Sequence, residues 1–160
     1  MQYNLVDLLR ADHILLNLEA ADAAEIIRKM TEALVATGHV TAEFADDVWQ
    51  REQTFPTGLP TQPLAVAIPH ADPDHVNQSA VCIGTLAAPV SFAQMGTDGS
   101  TRLNVSLVFL LAIREQEKQV EMLQQLMMLI QTGSLLEGLM KVTGTDDALA
   151  LIRQTLIQEG

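Results

Sequence analysis

The chain is predicted to be an α/β protein, sandwich-like in build, in which a mixed, roughly five-stranded sheet carries helices on both faces. Three observations lead there. Apolar periodicity switches repeatedly along the chain between helical spacing and short continuous runs, as it does where helices and strands interleave. Residues 64–68, 80–86 and 103–112 are unbroken apolar runs rich in Val, Ile and Leu, as strands covered on both faces should be. The segments between and after them are amphipathic, so apolar helix faces are available to cover both sides of that sheet.

Each element has its own signal. Residues 13–18 (HILLNL) read as a first strand, with His13 at its start. Residues 23–37 place Ile26, Ile27, Met30, Leu34 and Val35 at helical spacing, with Asp22 as N-cap and Gly38 as the stop. His39 follows that stop, where a polar residue is expected. Thr41 is expected to cap a second helix, AEFADDVWQREQT, in which Phe44, Val48 and Trp49 share a face and Arg51 falls in the last turn. The Pro and Gly of FPTGLPTQP end it. Cys82 sits inside the apolar run AVCIGTL, where burial is expected. The polar, Gly-rich stretch 94–102 reads as a flexible loop. Then come a helix over 118–131 with Val120, Leu123, Leu126, Met127 and Ile130 on one face, a short helix over 135–141, and a last one over 146–158 begun by Thr145 and Asp146.

Composition narrows the function. With 160 residues, 48% of them hydrophobic and 18% charged, the whole of 1–160 is expected to form a single domain. Nine Lys and Arg stand against twenty Asp and Glu, a net charge of −11 that argues against nucleic acid as a partner. The N-terminus has no basic region followed by an apolar core, and no run reaches the roughly eighteen apolar residues of a membrane span. A cytoplasmic protein with no direct membrane insertion is expected. A single cysteine permits no internal disulfide and no CxxC pair.

His70 carries the chemistry. In LAVAIPHADPDHV an apolar strand delivers an imidazole to a turn bounded by proline. Neutral imidazole is a good nucleophile towards phosphorus near pH 7 and needs no strong base to activate it. A transferring phosphoryl group spreads charge over its equatorial oxygens, so its site must supply a cation, backbone N–H groups, or both. Arg51 is the candidate cation and the Ala71-Asp72 turn the candidate donor region. Asp72 and Asp74 would repel a phosphate and are expected to face solvent or donors on a partner. Other readings remain open: a hydrogen-bonded structural role for His70, or a metal site in which His70, Asp72, Asp74 and His75 act as ligands, though Pro73 restricts that turn. There is no G-x-S-x-G, no Walker-type loop and no G-x-G-x-x-G, so neither a serine hydrolase nor a nucleotide donor is indicated.

The order RE-x-x-FPTGL, AIPHA, SAVCIGTLAAPVSF, VSLVFLLA and QVEMLQQLMMLI resembles the IIA component of the fructose/mannitol class of the sugar phosphotransferase system. FPTG after the Arg-Glu pair points to its galactitol-type branch. The resemblance runs from about His13 to the end. It implies that a histidine phosphocarrier protein (HPr) passes a phosphoryl group to His70. His70 in turn would pass it to a cysteine of a IIB component, for uptake of a sugar alcohol such as galactitol through a membrane IIC component. It further implies phosphorylation at Nε2 of His70 with the other ring nitrogen held by a backbone hydrogen bond, charge neutralisation by Arg51, and no cofactor or metal. Glu52 belongs to the same Arg-Glu pair without a defined role. Mannitol-type relatives carry a second histidine where this chain has Gln119, which would line the site as a neutral donor or simply face solvent. Phe55, Leu59, Ile68, Val90, Phe92 and Met95 are candidates for an apolar docking rim. A regulatory module using phospho-His70 as a signal is the competing reading.

Overall fold

The sheet is built around one long hairpin. A computed structural model describes residues 4–159. Its strands are β1 (Ile14–Leu18), β2 (Gly58–Leu59), β3 (Ala65–Ala67), β4 (Ala80–Ala93) and β5 (Arg102–Ala112), in the spatial order β1-β4-β5-β3-β2. β4 and β5 pair antiparallel from Ala80↔Ala112 to Ala93↔Arg102. β1 joins β4 in parallel and β3 joins β5 in parallel, while β2 returns antiparallel on β3. The sheet is therefore mixed, as expected.

Burial on both faces explains the continuous apolar runs. Along β5, Leu107, Phe109 and Leu111 enter one core cluster while Val108, Leu110 and Ala112 enter the other, the period-two alternation of a strand. The first cluster takes in α3 (Gln119–Ile130), α4 (Gly133–Lys141) and α5 (Thr145–Glu159); the second takes in α1 (Ala23–Ala36) and α2 (Phe44–Thr54). Asp22 caps α1 by accepting from the Glu25 N–H at 2.9 Å, and Gly38 ends it at φ +77°, a conformation that favours glycine. Cys82 is fully buried. Among the described residues no helix is long and apolar enough to cross a membrane.

Several expectations are corrected. β4 continues past Leu86 to Ala93; its pairing with β5 shifts register between Thr85 and Val90, which accommodates Pro89 in the strand. The two-residue β2 is too short to leave a periodic signal. Its Gly58 is required by close packing, since a Cβ there would lie 2.6 Å from the Ala93 carbonyl oxygen. Thr41 does not cap α2 through its side chain. The helix begins at Phe44, whose N–H donates to the Thr41 carbonyl at 3.1 Å, while the Thr41 N–H donates to the His75 carbonyl at 3.0 Å. In α3 the buried stripe is Met122, Leu126, Leu129 and Ile130, and Val120 is 64% exposed. Apolar residues occupy two adjacent stripes of this helix, and the Met122 stripe is the one seated on the core.

His13 and His39 are not routine polar positions but a buried pair. Their rings meet edge to face at 4.8 Å. The Thr37 hydroxyl lies between them, 2.8 Å from His13 Nε2 and 2.7 Å from His39 Nδ1. Burial pushes His13 down to about 4 from an ordinary 6.5. The unfolded chain takes up that proton near 6.5 and the folded protein does not. The stabilisation is thus full above pH 6.5 and is lost as pH falls towards 4. At about 1.4 kcal/mol per unit it amounts to roughly 3 kcal/mol. Denaturant midpoints measured from neutrality down to about pH 4 are expected to fall, and to fall less steeply in His13→Asn.

Candidate functional site

β3 leaves the sheet in a way that fixes His70. Ile68 precedes a proline and is held extended. The Pro69 carbonyl accepts from the Leu111 N–H at 3.0 Å, and His70 forms an isolated parallel bridge with Leu111. The chain thus stays beside the end of β5, and His70 comes to rest 8% exposed. Its Nδ1 lies 2.9 Å from the Ile68 carbonyl oxygen. A carbonyl only accepts, so Nδ1 must carry the proton and Nε2 the lone pair. Nε2 has no hydrogen-bond partner among the described residues and is not enclosed. Burial holds the ring below its ordinary 6.5; the Ile68 bond opposes this, and the Arg51 charge adds to it. At neutral pH the ring is uncharged and Nε2 is free to attack.

Arg51 occupies the last turn of α2. With Asp47, Gln50, Thr54, Phe55, Ala71, Asp72 and Asp74 it lines a depression of about 310 Å³ beside the His70 turn. Its guanidinium carbon lies 5.3 Å from the centroid of the Phe55 ring, a cation–π distance. Its Nε is buried with no hydrogen-bond partner, and it forms no ion pair among the described residues. An aromatic face rather than a carboxylate therefore positions the cation, and its charge remains uncompensated next to the histidine.

Glu52, the next residue, points inward. It is 5% exposed and accepts from the Thr57 N–H at 2.9 Å and the Thr57 hydroxyl at 2.8 Å. Burial raises its carboxyl to about 7 in spite of those two bonds. The Thr57 hydroxyl also accepts from the Ile68 N–H at 3.1 Å. Glu52 is thus tied to the strand that carries His70 and is turned away from the open depression. Thr57 went unrecognised as a site residue in the sequence; its one signal was its place in FPTGL, between the Arg-Glu pair and the histidine.

The remaining candidates divide. Gln119 is the first residue of α3; its Oε1 is buried without a partner, and no hydrogen bond joins it to His70 or Arg51 among the described residues. Asp72 and Asp74 are exposed, as expected, although both line the depression. His75 pairs through Nδ1 with Asp47, which raises its affinity for a proton. No group of three or more His, Cys, Asp or Glu side chains able to hold a metal occurs among the described residues. Of the apolar rim, Phe55 is 60% and Met95 39% exposed and Leu59 is half-buried, whereas Ile68, Val90 and Phe92 belong to the core. Those three sit on inward-facing strand positions or just beyond them.

Residues 7–155 match the family model for the phosphoenolpyruvate-dependent sugar phosphotransferase system, EIIA 2. The chain belongs to this family. Over 116 residues it is 34% identical to the 2-O-alpha-mannosyl-D-glycerate-specific EIIABC component of Escherichia coli K12, covering 71% of this chain and 17% of that longer protein. It is 28% identical over 124 residues to the galactitol-specific EIIA component of the same strain, covering 78% of this chain and 81% of that one. The solved complex of enzyme IIA mannitol with phosphorylated IIB mannitol from E. coli matches with 27% identity and a TM-score of 0.74, over 91% of this chain and 97% of that one. The expected family and α/β fold are borne out.

Proposed function

We propose that the chain is a phosphocarrier, acting as a single cytoplasmic domain, that takes a phosphoryl group from HPr onto Nε2 of His70. It then gives the group to a cysteine of a IIB component. The observation that carries this reading is the Nδ1–H···O=C bond to Ile68, which leaves a neutral Nε2 lone pair beside the uncompensated Arg51. In the first step the Nε2 lone pair forms the new N–P bond while the donor's N–P bond breaks, its electron pair returning to the donor nitrogen. The imidazole then carries the positive charge and keeps its Nδ1 proton, which the Ile68 carbonyl stabilises. In the second step a thiolate sulfur forms the S–P bond and Nε2 recovers its lone pair. Both steps need alignment and charge shielding rather than a metal or cofactor.

Arg51 supplies the shielding. Its planar fork suits phosphoryl oxygens, and no carboxylate holds it among the described residues. Asp47, Asp72 and Asp74 around the depression, with exposed Phe55 and Met95, fit a partner that brings basic side chains around an apolar contact. The complex of the mannitol relatives supports a IIB partner, and the galactitol-specific relative supports a sugar alcohol as the transported substrate; a IIC component would carry it across the membrane.

The test is transfer of labelled phosphate from phosphoenolpyruvate through enzyme I and HPr onto the purified chain, without added metal. Acid-labile label is expected; absence of label with an active HPr control overturns the reading. Gln119 is assigned the part of a neutral donor to a phosphoryl oxygen, so Gln119→Ala should slow transfer by a few-fold, about what one neutral hydrogen bond contributes. An unchanged single-turnover rate removes Gln119 from the site.

A further inference from the structure

β3 ends at Ala67, whose partners are Gly58 and Val108. The next N–H, that of Ile68, lies in a residue only 2% exposed, where an unpaired donor is costly. It is satisfied by a side chain, the Thr57 hydroxyl, at 3.1 Å. That hydroxyl has one proton, and it points to Glu52 Oε1 at 2.8 Å, so its lone pairs remain for Ile68. Glu52 Oε2 meanwhile accepts the Thr57 N–H at 2.9 Å and fixes the backbone at the same residue. On its other side Ile68 is anchored through Pro69, whose carbonyl accepts from Leu111. Between the two anchors the Ile68 carbonyl has one direction, and it meets the Nδ1 proton of His70 at 2.9 Å.

The geometry points to Glu52 and Thr57 as positioning residues: through the Ile68 peptide they hold the carbonyl that selects the Nδ1–H tautomer of His70 and so presents Nε2 to a phosphoryl donor. This rests on the phosphoryl-transfer reading of His70 and extends it. Both Glu52 oxygens are engaged by Thr57, so Glu52 acts through its neighbours rather than on the phosphoryl group itself. The two oxygens of this one buried carboxyl group engage the N–H and the hydroxyl of a single residue and so fix its backbone and side chain together. The bond from the hydroxyl to Oε1 also leaves the Thr57 lone pairs turned towards the Ile68 N–H. Outer partners of a functional imidazole commonly act in this way, by fixing tautomer and ring orientation.

The experiment compares wild type, Thr57→Val, Thr57→Ser and Glu52→Gln by two readouts on the full chain: the tautomer of His70 from imidazole nitrogen NMR, and the rate of phosphate uptake from phospho-HPr. Wild type should show the Nδ1–H form alone. Thr57→Val, isosteric but without the hydroxyl, should show mixed tautomers and uptake slowed by about tenfold to a hundredfold, the range carried by outer partners of a histidine. Thr57→Ser should restore both. Glu52→Gln keeps the shape but loses one of the two acceptors, and should shift both readouts in the same direction, which keeps the test open should Thr57→Val fail to fold. Wild-type tautomer and wild-type rate in a folded Thr57→Val or in Glu52→Gln would overturn the inference, as would a folded Thr57→Ser that restores neither. The tautomer readout needs no phosphoryl donor. Failure of wild type to accept phosphate would therefore remove the transfer reading, while the positioning role would still be decided by NMR.

Discussion

His70→Ala is expected to take up no phosphate from phospho-HPr, while still folding, with an unfolding temperature lowered by the loss of a buried ring. No other histidine is placed to substitute. His13 and His39 are buried in their own pair around Thr37, and His75 is held by Asp47. None of the three has the combination that His70 has: an Nδ1 proton on a backbone carbonyl, an open Nε2, and the charge of Arg51. The structural cost is the one hydrogen bond to backbone, on the order of 1 kcal/mol, together with the packing lost when a ring only 8% exposed is cut back to a methyl group. Thermal unfolding and phosphate uptake measured on the same preparation separate the two effects. A variant that folds normally and still takes up phosphate on a histidine would place the chemistry elsewhere.

Arg51→Ala should lower the rate of phosphoryl transfer on the order of a hundredfold or more, as removal of a preorganised partner for developing charge does. The size follows from what surrounds it. Arg51 has no carboxylate partner among the described residues, so its charge is not already spent. Arg51→Lys should recover only part of the rate, since an ammonium lacks the planar fork and stacks less well on Phe55. The same substitution to Ala should move the His70 pKa upward, because the Arg51 charge is one of the causes that hold it low. Because the wild-type ring is held below its ordinary 6.5, it protonates at a lower pH than a free imidazole, and transfer should fall off at a correspondingly lower pH. Single-turnover rates with saturating donor distinguish a loss in the chemical step from a loss in docking.

How much of this was visible beforehand depended on the length scale of the signal. β5 and α1 were readable because each repeats one period for many residues between recognisable stops. The two-residue β2 and the start of α2 were not, because they are set by contacts distant in sequence: Ala93 against Gly58, and His75 against Thr41. The face of α3 was misread at Val120 because apolar residues populate two stripes and only packing chooses between them. His70 and Arg51 stood out as chemistry-bearing residues at informative places, and the structure sets Arg51 in a depression that the residues just after His70, Ala71 and Asp72, also line. The inward turn of Glu52 onto Thr57 could not be read, since whether a carboxyl is buried depends on the chain that follows the helix turning back to offer Thr57 as its partner. The His13–Thr37–His39 cluster was hidden for a similar reason: each residue has an ordinary local explanation, and only the packing of the short 3-10 turn Ala11–His13 against α1 joins them.

The central claim is that the Nε2 atom of His70 carries the phosphoryl group, and the most direct measurement is to phosphorylate nitrogen-15-labelled protein through enzyme I and HPr and read the phosphorus–nitrogen coupling. Coupling to Nε2 of His70, with the Nδ1 proton still present, is the predicted result. Phosphate on Nδ1, on any other side chain, or on none while HPr itself is fully phosphorylated would contradict it.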